Sequence, residues 1–384
     1  METVKKYFLI FAVVIALTSI SERILFVIFP TYLIQRNFSA TQIGLVFSIA
    51  GVFLIIGRSY LGRLSDIIGR KGIMAVGLFV DAIVTALYPI AQKLWNFIIL
   101  KGFDETSTTL TESVDTAIQA DVFKKKTRAK ILAKLGTILP FARAIAAILG
   151  YVVLTLVAIS YSFYLAALLN FIAFLVFFIF FKEKKIHADG QFKFSLNPFK
   201  YSKTFNIIVL IGFIQALTFN AAYFPGFFIL AENYLKISPQ TLFILLLISY
   251  AVSTAAVYFA GKWIDRFGRK RITLIGVLLF GIFEILYIFV GNIFQFLAVL
   301  VGISVIYYIW RVAYKTAVMD ETKSKIRGEQ VGFYKTAEGF GTMIGPLIGG
   351  LLIDGISIQA PFIFAGIVGI VFTIIIYSLR IFHQ

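Results

Sequence analysis

The 384-residue sequence contains no cysteine, which excludes a disulfide, a thiol nucleophile and a thiolate metal site. Its two histidines, His187 and His383, lie outside every long apolar run, so neither can relay protons within one. No glycine-rich phosphate-binding loop is present, which argues against ATP as the energy source. No side chains show the spacing of metal ligands. We therefore expect no cofactor and no metal, and we do not expect an enzyme.

Charged residues are scarce as well. They make up 14% of the chain, whereas apolar residues make up 60% and the mean hydropathy is +0.92. A nearly uncharged run of about 18 residues or more can cross a bilayer as a helix, whereas barrel strands are shorter and alternate. The sequence therefore predicts an all-α integral membrane protein with twelve transmembrane spans. In chain order these are 7–34, 41–61, 72–91, 95–120, 130–157, 161–181, 205–232, 240–261, 272–291, 293–320, 329–354 and 360–380.

The net charge of +17 does not indicate a nucleic-acid partner, because of where the charge lies. Most of the 36 lysines and arginines fall on one side of the predicted membrane, and only Arg36, Lys93 and Lys236 fall in loops on the other side. Positively charged loops stay in the cytoplasm. We predict a protein of the cytoplasmic membrane with both termini inside, and a first apolar run that is retained as a helix and not cleaved as a signal peptide.

One ten-residue sequence motif, called the loop phrase below, occurs twice. Residues 62–71 read G-R-L-S-D-I-I-G-R-K and residues 261–270 read G-K-W-I-D-R-F-G-R-K, so that Asp66 and Asp265 are 199 positions apart. A repeat on this scale in an apolar chain indicates the two parallel six-helix halves of a secondary transporter. We predict an N-terminal bundle at 1–181, a cytoplasmic linker at 182–203 and a C-terminal bundle at 204–384.

On these residues the chain resembles a transporter of the major facilitator superfamily. The first phrase is similar to that family's signature G-x-L-x-D-R-x-G-R-K, although Ile67 stands at the usual arginine; the second phrase has Trp263 at the usual leucine. The resemblance implies a fold of two pseudo-symmetric six-helix bundles, a central cavity lined by spans 1, 4, 7 and 10, and alternating access. We expect a monomer in the lipid bilayer with a small-molecule substrate.

The resemblance also implies a latch, that is, a set of contacts between helices that holds the cytoplasmic side closed when the protein opens outward. Its first copy would consist of Gly62, Asp66, Gly69 and Arg70 with Asp121 and Arg128. Its second copy would consist of Gly261, Asp265 and Arg269 with Arg327 and either Asp320 or Glu321. Glycines permit tight turns, and an arginine can fork onto a carboxylate. The alternative is that these charges only set the orientation of the loops.

Span 4 carries a stripe of polar residues. Steps of three and four place Lys101, Glu105, Glu112, Asp115 and Gln119 on one helical face, which Asp104 flanks. Because a charge at the bilayer centre costs roughly 3 kcal/mol, this face cannot meet lipid. We predict that it binds substrate or protons. The alternative is internal salt-bridging, such as Lys101 with Glu105, that only holds helices together.

Further polar residues are embedded in other spans. Those that we predict to bind substrate or protons are Glu22 and Arg23 in span 1, Arg143 in span 5, Gln215 and Asn220 in span 7, Arg311 and Lys315 in span 10, and Glu338 in span 11. Lys315 stands at the repeat position of Asp115, so either the two form an ion pair between the halves or Lys315 extends towards the membrane surface. Asp81 in span 3 and Glu284 in span 9 are expected only to pair with a neighbouring helix.

Span 11 has the small-residue pattern G-F-G-T-M-I-G-P-L-I-G-G. Gly341, Gly345 and Gly349 are predicted to allow close helix packing, and Pro346 to act as a hinge. The string is similar to the antiporter motif of the family, which belongs in span 5 and is missing there, so the direction of transport stays open.

The sequence thus predicts a secondary active transporter of a small solute, coupled to protons, that is either a drug or metabolite exporter or an importer. Proton-coupled peptide uptake is one alternative, because Glu22-Arg23 matches part of a motif of that subfamily. A receptor with a transporter fold that binds its ligand without moving it is the other.

Overall fold

The structure, a computed structural model, describes residues 2–123, 131–132, 134–183, 201–322 and 326–378. Within these ranges it contains twelve long α-helices and no β-strand. They are α1 (Glu2–Gln35), α2 (Ala40–Ile68), α3 (Arg70–Leu87), α4 (Leu94–Val122), α5 (Ile138–Leu156), α6 (Ser160–Phe180), α7 (Lys203–Ala221), α8 (Pro239–Phe267), α9 (Arg269–Leu286), α10 (Ile293–Glu321), α11 (Arg327–Gly355) and α12 (Ala360–Ser378). The predicted twelve-helix membrane fold is confirmed.

Ten helical segments in the described part are long and apolar enough to cross a membrane. The two remaining helices are α2, whose described apolar part is Ala40–Ile55, and α4. Helix α4 is less apolar than the ten spans because of its polar stripe: four acids and one lysine lie within Lys101–Asp115. Beyond Ala221 the chain forms two π-helical segments, Ala222–Phe227 and Leu230–Tyr234, and the backbone is kinked at Phe224.

The repeated phrase forms the same turn twice. Gly69 separates α2 from α3 with a φ of 108°, and Gly268 separates α8 from α9 with a φ of 87°. Only glycine adopts such values without strain, because it has no Cβ. The two turns explain why both copies of the phrase keep glycine at this position.

The helix contacts repeat as well. Helix α1 packs against α5 and α6, and α3 packs against α4 and α6. Six helices later, α7 packs against α11 and α12, and α9 packs against α10 and α12. The internal sequence repeat therefore corresponds to a repeat of helix neighbours.

Two compact units can be distinguished. The first comprises Met1–Arg36, Ile49–Asp189 and Pro239–Leu247, and the second comprises Asn37–Ser48, Gly190–Ser238 and Ile248–Gln384. Phe11, Phe123 and Phe177 are fully buried in the core of the first unit. The core of the second unit includes Phe205 and Tyr314. The division of the chain into bundles at the 182–203 linker stays a prediction.

Candidate functional site

The stripe on α4 holds a compact ionic group. The ammonium of Lys101 lies 2.5 Å from Asp104 Oδ2 and 3.0 Å from Glu105 Oε1. The exposed fractions of the three side chains are 16%, 11% and 25%, so all three are largely shielded. One lysine thus binds two carboxylates in the N-terminal half of α4. The internal salt bridge of Lys101 with Glu105, which sequence reasoning had named as the alternative, is present, and Asp104 joins it.

Side chains from neighbouring helices complete this group. The Tyr88 hydroxyl, in the 3₁₀ turn after α3, donates to Asp104 Oδ2 at 3.2 Å. The ring of Phe29 on α1 lies 5.7 Å from the Lys101 ammonium. Asp81 on α3 interacts electrostatically with Asp104, and the Asn170 amide on α6 donates to Asp81 Oδ2 at 2.9 Å.

Sequence reasoning did not include Asp81 or Asn170 in the site. A lone acid in span 3 has no partner at helical spacing, so nothing in the sequence connects it to Asp104. Helices α3 and α4 approach each other closely: a Cβ at Gly77, one turn before Asp81, would lie 3.2 Å from the backbone oxygen of Ser107. Small residues permit such approaches. We name Asp81, Lys101, Asp104, Glu105 and Asn170 the α3–α4–α6 polar cluster.

Glu22 and Arg23 lie near the middle of α1. Although they are adjacent in sequence, their side chains form an ion pair with an Nη2–Oε1 distance of 2.8 Å. The Glu22 side chain is 63% exposed within the protein and that of Arg23 is 24% exposed. A charge at this depth cannot face hydrocarbon at reasonable cost. We therefore expect the exposed side of Glu22 to face water and not lipid.

The second unit has its own embedded ion pair. Arg311 Nη1 on α10 lies 3.2 Å from Glu338 Oε1 on α11, and the two side chains are 51% and 15% exposed. Tyr307, one turn before Arg311, stacks on Phe219 of α7 with ring centroids 5.1 Å apart. Phe219 also stacks on Tyr223 at 4.9 Å. The Arg311–Glu338 pair thus lies one helical turn from a stack of aromatic rings, of which Tyr223 is buried, and sequence reasoning had predicted only the charges.

The remaining polar residues of α7 show two kinds of contact. Gln215 is 2% exposed, and its Oε1 accepts no hydrogen bond from the residues that the structure describes. The Asn220 amide donates back to the Ala216 carbonyl at 2.7 Å, within its own helix. Gln215 therefore retains an unused acceptor, whereas one amide hydrogen of Asn220 is already engaged.

The glycines of α11 pack directly on the backbone of α7. A Cβ at Gly341 would lie 2.6 Å from the Phe213 carbonyl oxygen, and one at Gly345 would lie 2.6 Å from the Leu217 carbonyl oxygen. At Gly349 a Cβ would overlap the Ala221 carbonyl oxygen. Pro346 lies inside the same helix. Since real Cβ atoms do not approach this closely, only glycine fits at these three positions.

Three further predicted residues lie on three different helices. Asp115 on α4 accepts from the Gln119 amide at 2.6 Å. Arg143 is partly buried on α5, and Lys315 is exposed on α10. The pairing of Asp115 with Lys315 stays a prediction. The side chain of Glu112 lies outside the described residues.

Both copies of the loop phrase make contacts with distant residues in the part that the structure describes. In the second, Arg269 Nη1 lies 2.6 Å from both carboxylate oxygens of Asp320, and Lys270 pairs with Glu321 at 2.7 Å. Asp265 interacts with Arg269 electrostatically. A Cβ at Gly261 would meet no atom within 4 Å, so packing does not require this glycine.

In the first copy, Glu183 accepts from the backbone N–H of Arg70 at 2.6 Å, beside Gly69. An acid at a helix N-terminus satisfies a free N–H group there and interacts favourably with the helix dipole. Sequence reasoning missed Glu183, which is 113 residues away in the chain. Five residues that were predicted for the two latch copies lie outside the described residues or side chains. They are Gly62, Asp66, Asp121, Arg128 and Arg327.

Comparison with known proteins gives consistent results. A sequence model described as the Major Facilitator Superfamily matches residues 11–230 and 208–382. Multidrug resistance protein 2 of Bacillus subtilis (strain 168) is 36% identical over 116 residues, which span 29% of this chain and 28% of that protein. Multidrug resistance protein MdtG of Salmonella typhi is 26% identical over 343 residues, or 85% of this chain and 82% of that protein.

Solved structures share the fold. A crystal structure of the nucleoside transporter NupG has a TM-score of 0.78 at 16% identity and covers 97% of this chain and 99% of that chain. A bacterial homolog of the human lysosomal transporter Spinster, in an inward-facing and unoccupied conformation, has a TM-score of 0.75 at 13% identity and covers 98% and 96%. These likenesses concern the arrangement of the helices.

Proposed function

Because the chain belongs to the major facilitator superfamily, whose relatives here are membrane transporters, we propose that it exports a planar organic solute across the cytoplasmic membrane in exchange for protons. Membership of that family makes the protein a multi-pass membrane transporter. The coupling ion, the solute and the direction are the proposal. Alternating access of the site to the two sides of the membrane is part of it.

The observation that carries the proposal is the binding of Lys101 between Asp104 and Glu105 within α4. Ionisable groups at this depth are costly, and in transporters they mark ion or substrate pathways. Two carboxylates share one ammonium, so protonation of either carboxylate leaves the charges balanced. Glu22, which is 63% exposed, supplies a further carboxylate that we expect to face water. Carboxylates are the groups available for proton binding, since no histidine lies in a membrane span.

The aromatic surface of the second unit favours a flat solute. The partly exposed rings of Phe219 and Tyr307 stack on each other, and Tyr307 lies one turn before Arg311 of the Arg311–Glu338 pair. Aromatic faces bind planar rings by offset stacking and attract cations. A carboxylate next to such a surface suits an aromatic solute with a positive charge. The names of two relatives, both multidrug resistance proteins, support export of such molecules.

The test uses the purified full-length protein in proteoliposomes, with ethidium as a planar aromatic cation. A proton gradient should drive ethidium accumulation against its concentration gradient, and collapse of the gradient should stop it. Glu105→Gln should abolish the driven accumulation and retain ethidium binding. Asp320→Asn, in the exposed Arg269–Asp320 pair, serves as the matched control and should retain transport.

Two outcomes would contradict this proposal. If ethidium, nucleosides and peptides bind without flux under any gradient, the protein is a receptor. If flux occurs but does not respond to a proton gradient, the transport is facilitated or coupled to another ion.

A further inference from the structure

We propose that the turn between α8 and α9 carries a binding site for an anionic phospholipid, formed by Lys262 and Arg266 of α8 and Arg271 of α9. We name these three cations, together with Trp263, the α8–α9 basic cluster. The proposal does not depend on what the protein transports, so it can fail without affecting the proposed function.

The charges of this turn are only partly paired. Five cations and one acid lie within residues 261–271. Two of the cations have acidic partners on α10: Arg269 binds Asp320, and Lys270 binds Glu321. The three cations of the α8–α9 basic cluster form no salt bridge with the residues that the structure describes. An excess of positive charge therefore remains at this end of the two helices.

The two cations on α8 point away from the protein. The inward side of this helix holds Ala260 and Ile264, which are 0% and 4% exposed and form a small core with Ala313 of α10. Lys262 and Arg266 are exposed and lie about half a helical turn away from these two residues. The side of α8 that carries the two cations therefore faces the membrane.

Arg271 has the corresponding position on α9. It is exposed, and Ile275 and Leu279 follow it at steps of four with exposed fractions of 47% and 38%. Thr273 and Leu274 lie on the buried side of the same helix. Arg271 is thus the first residue of the lipid-facing side of α9, and cations stand on such a side in both helices that meet at the turn.

Exposed aromatic side chains share this end of α8 with the cations. Tyr258, Phe259 and Trp263 are 83%, 51% and 48% exposed, and the guanidinium of Arg266 lies 5.4 Å from the centre of the exposed Phe267 ring. Tryptophan and tyrosine are enriched where lipid headgroups meet hydrocarbon. Trp263 is also the residue that departs from the family signature, and an interfacial site gives that departure a physical reason.

The length of α8 places the cluster at the depth of the headgroups. The helix has 29 residues and is about 43 Å long at 1.5 Å per residue, similar to the roughly 40–45 Å of a bilayer with its headgroup layers. Lys262 lies about 7.5 Å along the axis before the helix ends at Phe267. Its side chain can extend further towards the surface. Lipid phosphates are within reach at this depth.

An anionic phospholipid matches both the charge and the apolar surface. Its phosphate can accept hydrogen bonds from arginine and lysine, and its acyl chains can pack along the exposed aromatic rings. A zwitterionic lipid carries its own ammonium, which competes with the cluster for the phosphate. One cation near the membrane surface contributes about fivefold in affinity for anionic lipid, equivalent to about 1 kcal/mol.

The test uses the fluorescence of the three tryptophans, Trp95, Trp263 and Trp310. Trp310 is 3% exposed, so in the purified full-length Trp95→Phe protein only Trp263 meets lipid. The protein is reconstituted in mixed phosphatidylcholine and phosphatidylglycerol vesicles in which one of the two lipids has brominated acyl chains, which quench tryptophan. Quenching should show a preference of at least about fivefold for phosphatidylglycerol beside Trp263.

A salt series extends this measurement without any change to the cluster, so it does not depend on the folding of charge variants. The preference should fall between about 0.1 M and 1 M salt, because the Debye length shortens from about 10 Å to about 3 Å. Inorganic phosphate, compared with chloride at equal ionic strength, should not change it. If phosphate abolishes the preference, the cluster binds free anions and the lipid proposal is wrong.

Charge variants then assign the preference to the cluster. Lys262→Gln/Arg266→Gln/Arg271→Gln should bring the lipid ratio to about one, and Lys262→Arg/Arg266→Lys/Arg271→Lys, which keeps the charges, should retain the preference. Lys236→Gln is the matched control, because it removes an exposed cation that precedes the opposite end of α8. Equal quenching by the two lipids with the cluster intact, or an unchanged preference in the triple glutamine variant, would overturn the proposal.

Discussion

Replacement of Lys101 by methionine tests whether the ionic group on α4 stabilises the fold. Methionine keeps the length and apolar character of the side chain and removes the ammonium. Asp104 and Glu105, which are 11% and 25% exposed, would then lie close together without their cation. Removal of one partner of a buried ion pair costs about 3–5 kcal/mol, because the other charge remains buried and uncompensated.

This loss corresponds to a measurable shift in melting temperature. An unfolding entropy of about 2.1 cal/mol/K per residue gives about 0.8 kcal/mol/K for 384 residues. We therefore expect Lys101→Met to lower the Tm by about 4–6 °C at neutral pH. At low pH the two carboxyls can bind protons in place of the lysine, so the difference from the unmodified protein should shrink.

The assay is thermal unfolding of the purified protein in one detergent across a pH series. Lys134→Met is the matched control: this lysine is exposed before α5, and its replacement should change the free energy of unfolding by no more than about 0.5 kcal/mol. The double variant Lys101→Met/Glu105→Gln removes one of the unpaired charges and should recover part of the Tm. If Lys101→Met and Lys134→Met have the same small effect at neutral pH, the reasoning is refuted.

Two further predictions concern packing and pH. Gly349→Ala places a Cβ on the Ala221 carbonyl of α7 and should destabilise the protein by about 1–3 kcal/mol, whereas Gly355→Ala, with open space around it, should not; thermal unfolding separates them. Burial, followed by the hydrogen bond to Glu329, raises the pKa of Tyr201 to about 12. Because its unfolded value is about 10, the stabilisation is complete below pH 10 and is lost between about pH 10 and 12. Tyr201→Phe should remove this dependence from an alkaline unfolding titration.

The sequence predicted the number of helices correctly for a simple physical reason. Lipid satisfies no backbone hydrogen bonds, so an apolar run of sufficient length must be helical, and the count of runs becomes a count of helices. The repeated glycines, Gly69 and Gly268, appear at matching turns with positive φ. Helical periodicity also placed Lys101 and Glu105 on one face, where they pair.

Hydropathy and helical periodicity could not predict the contacts between helices. Periodicity shows which residues share a face of one helix, but not which face of another helix lies opposite. Asp81 therefore had no assigned partner in the sequence, and Glu183 was not recognised as a cap for α3. The stacked surface of Phe219, Tyr223 and Tyr307 was hidden among 42 phenylalanines and 18 tyrosines, most of which have no such role.

The sequence by itself determined the class of protein, the twelve helices and the membrane-embedded charges, because these follow from the cost of exposing polar groups to lipid. Only the tertiary structure decided that Asn170 of α6 donates to Asp81 of α3 and that Tyr88, in the turn after α3, donates to Asp104 of α4. These contacts depend on how far each helix is rotated about its axis and how closely small residues such as Gly77 let two helices approach. Packing sets both quantities, and no single helix encodes them.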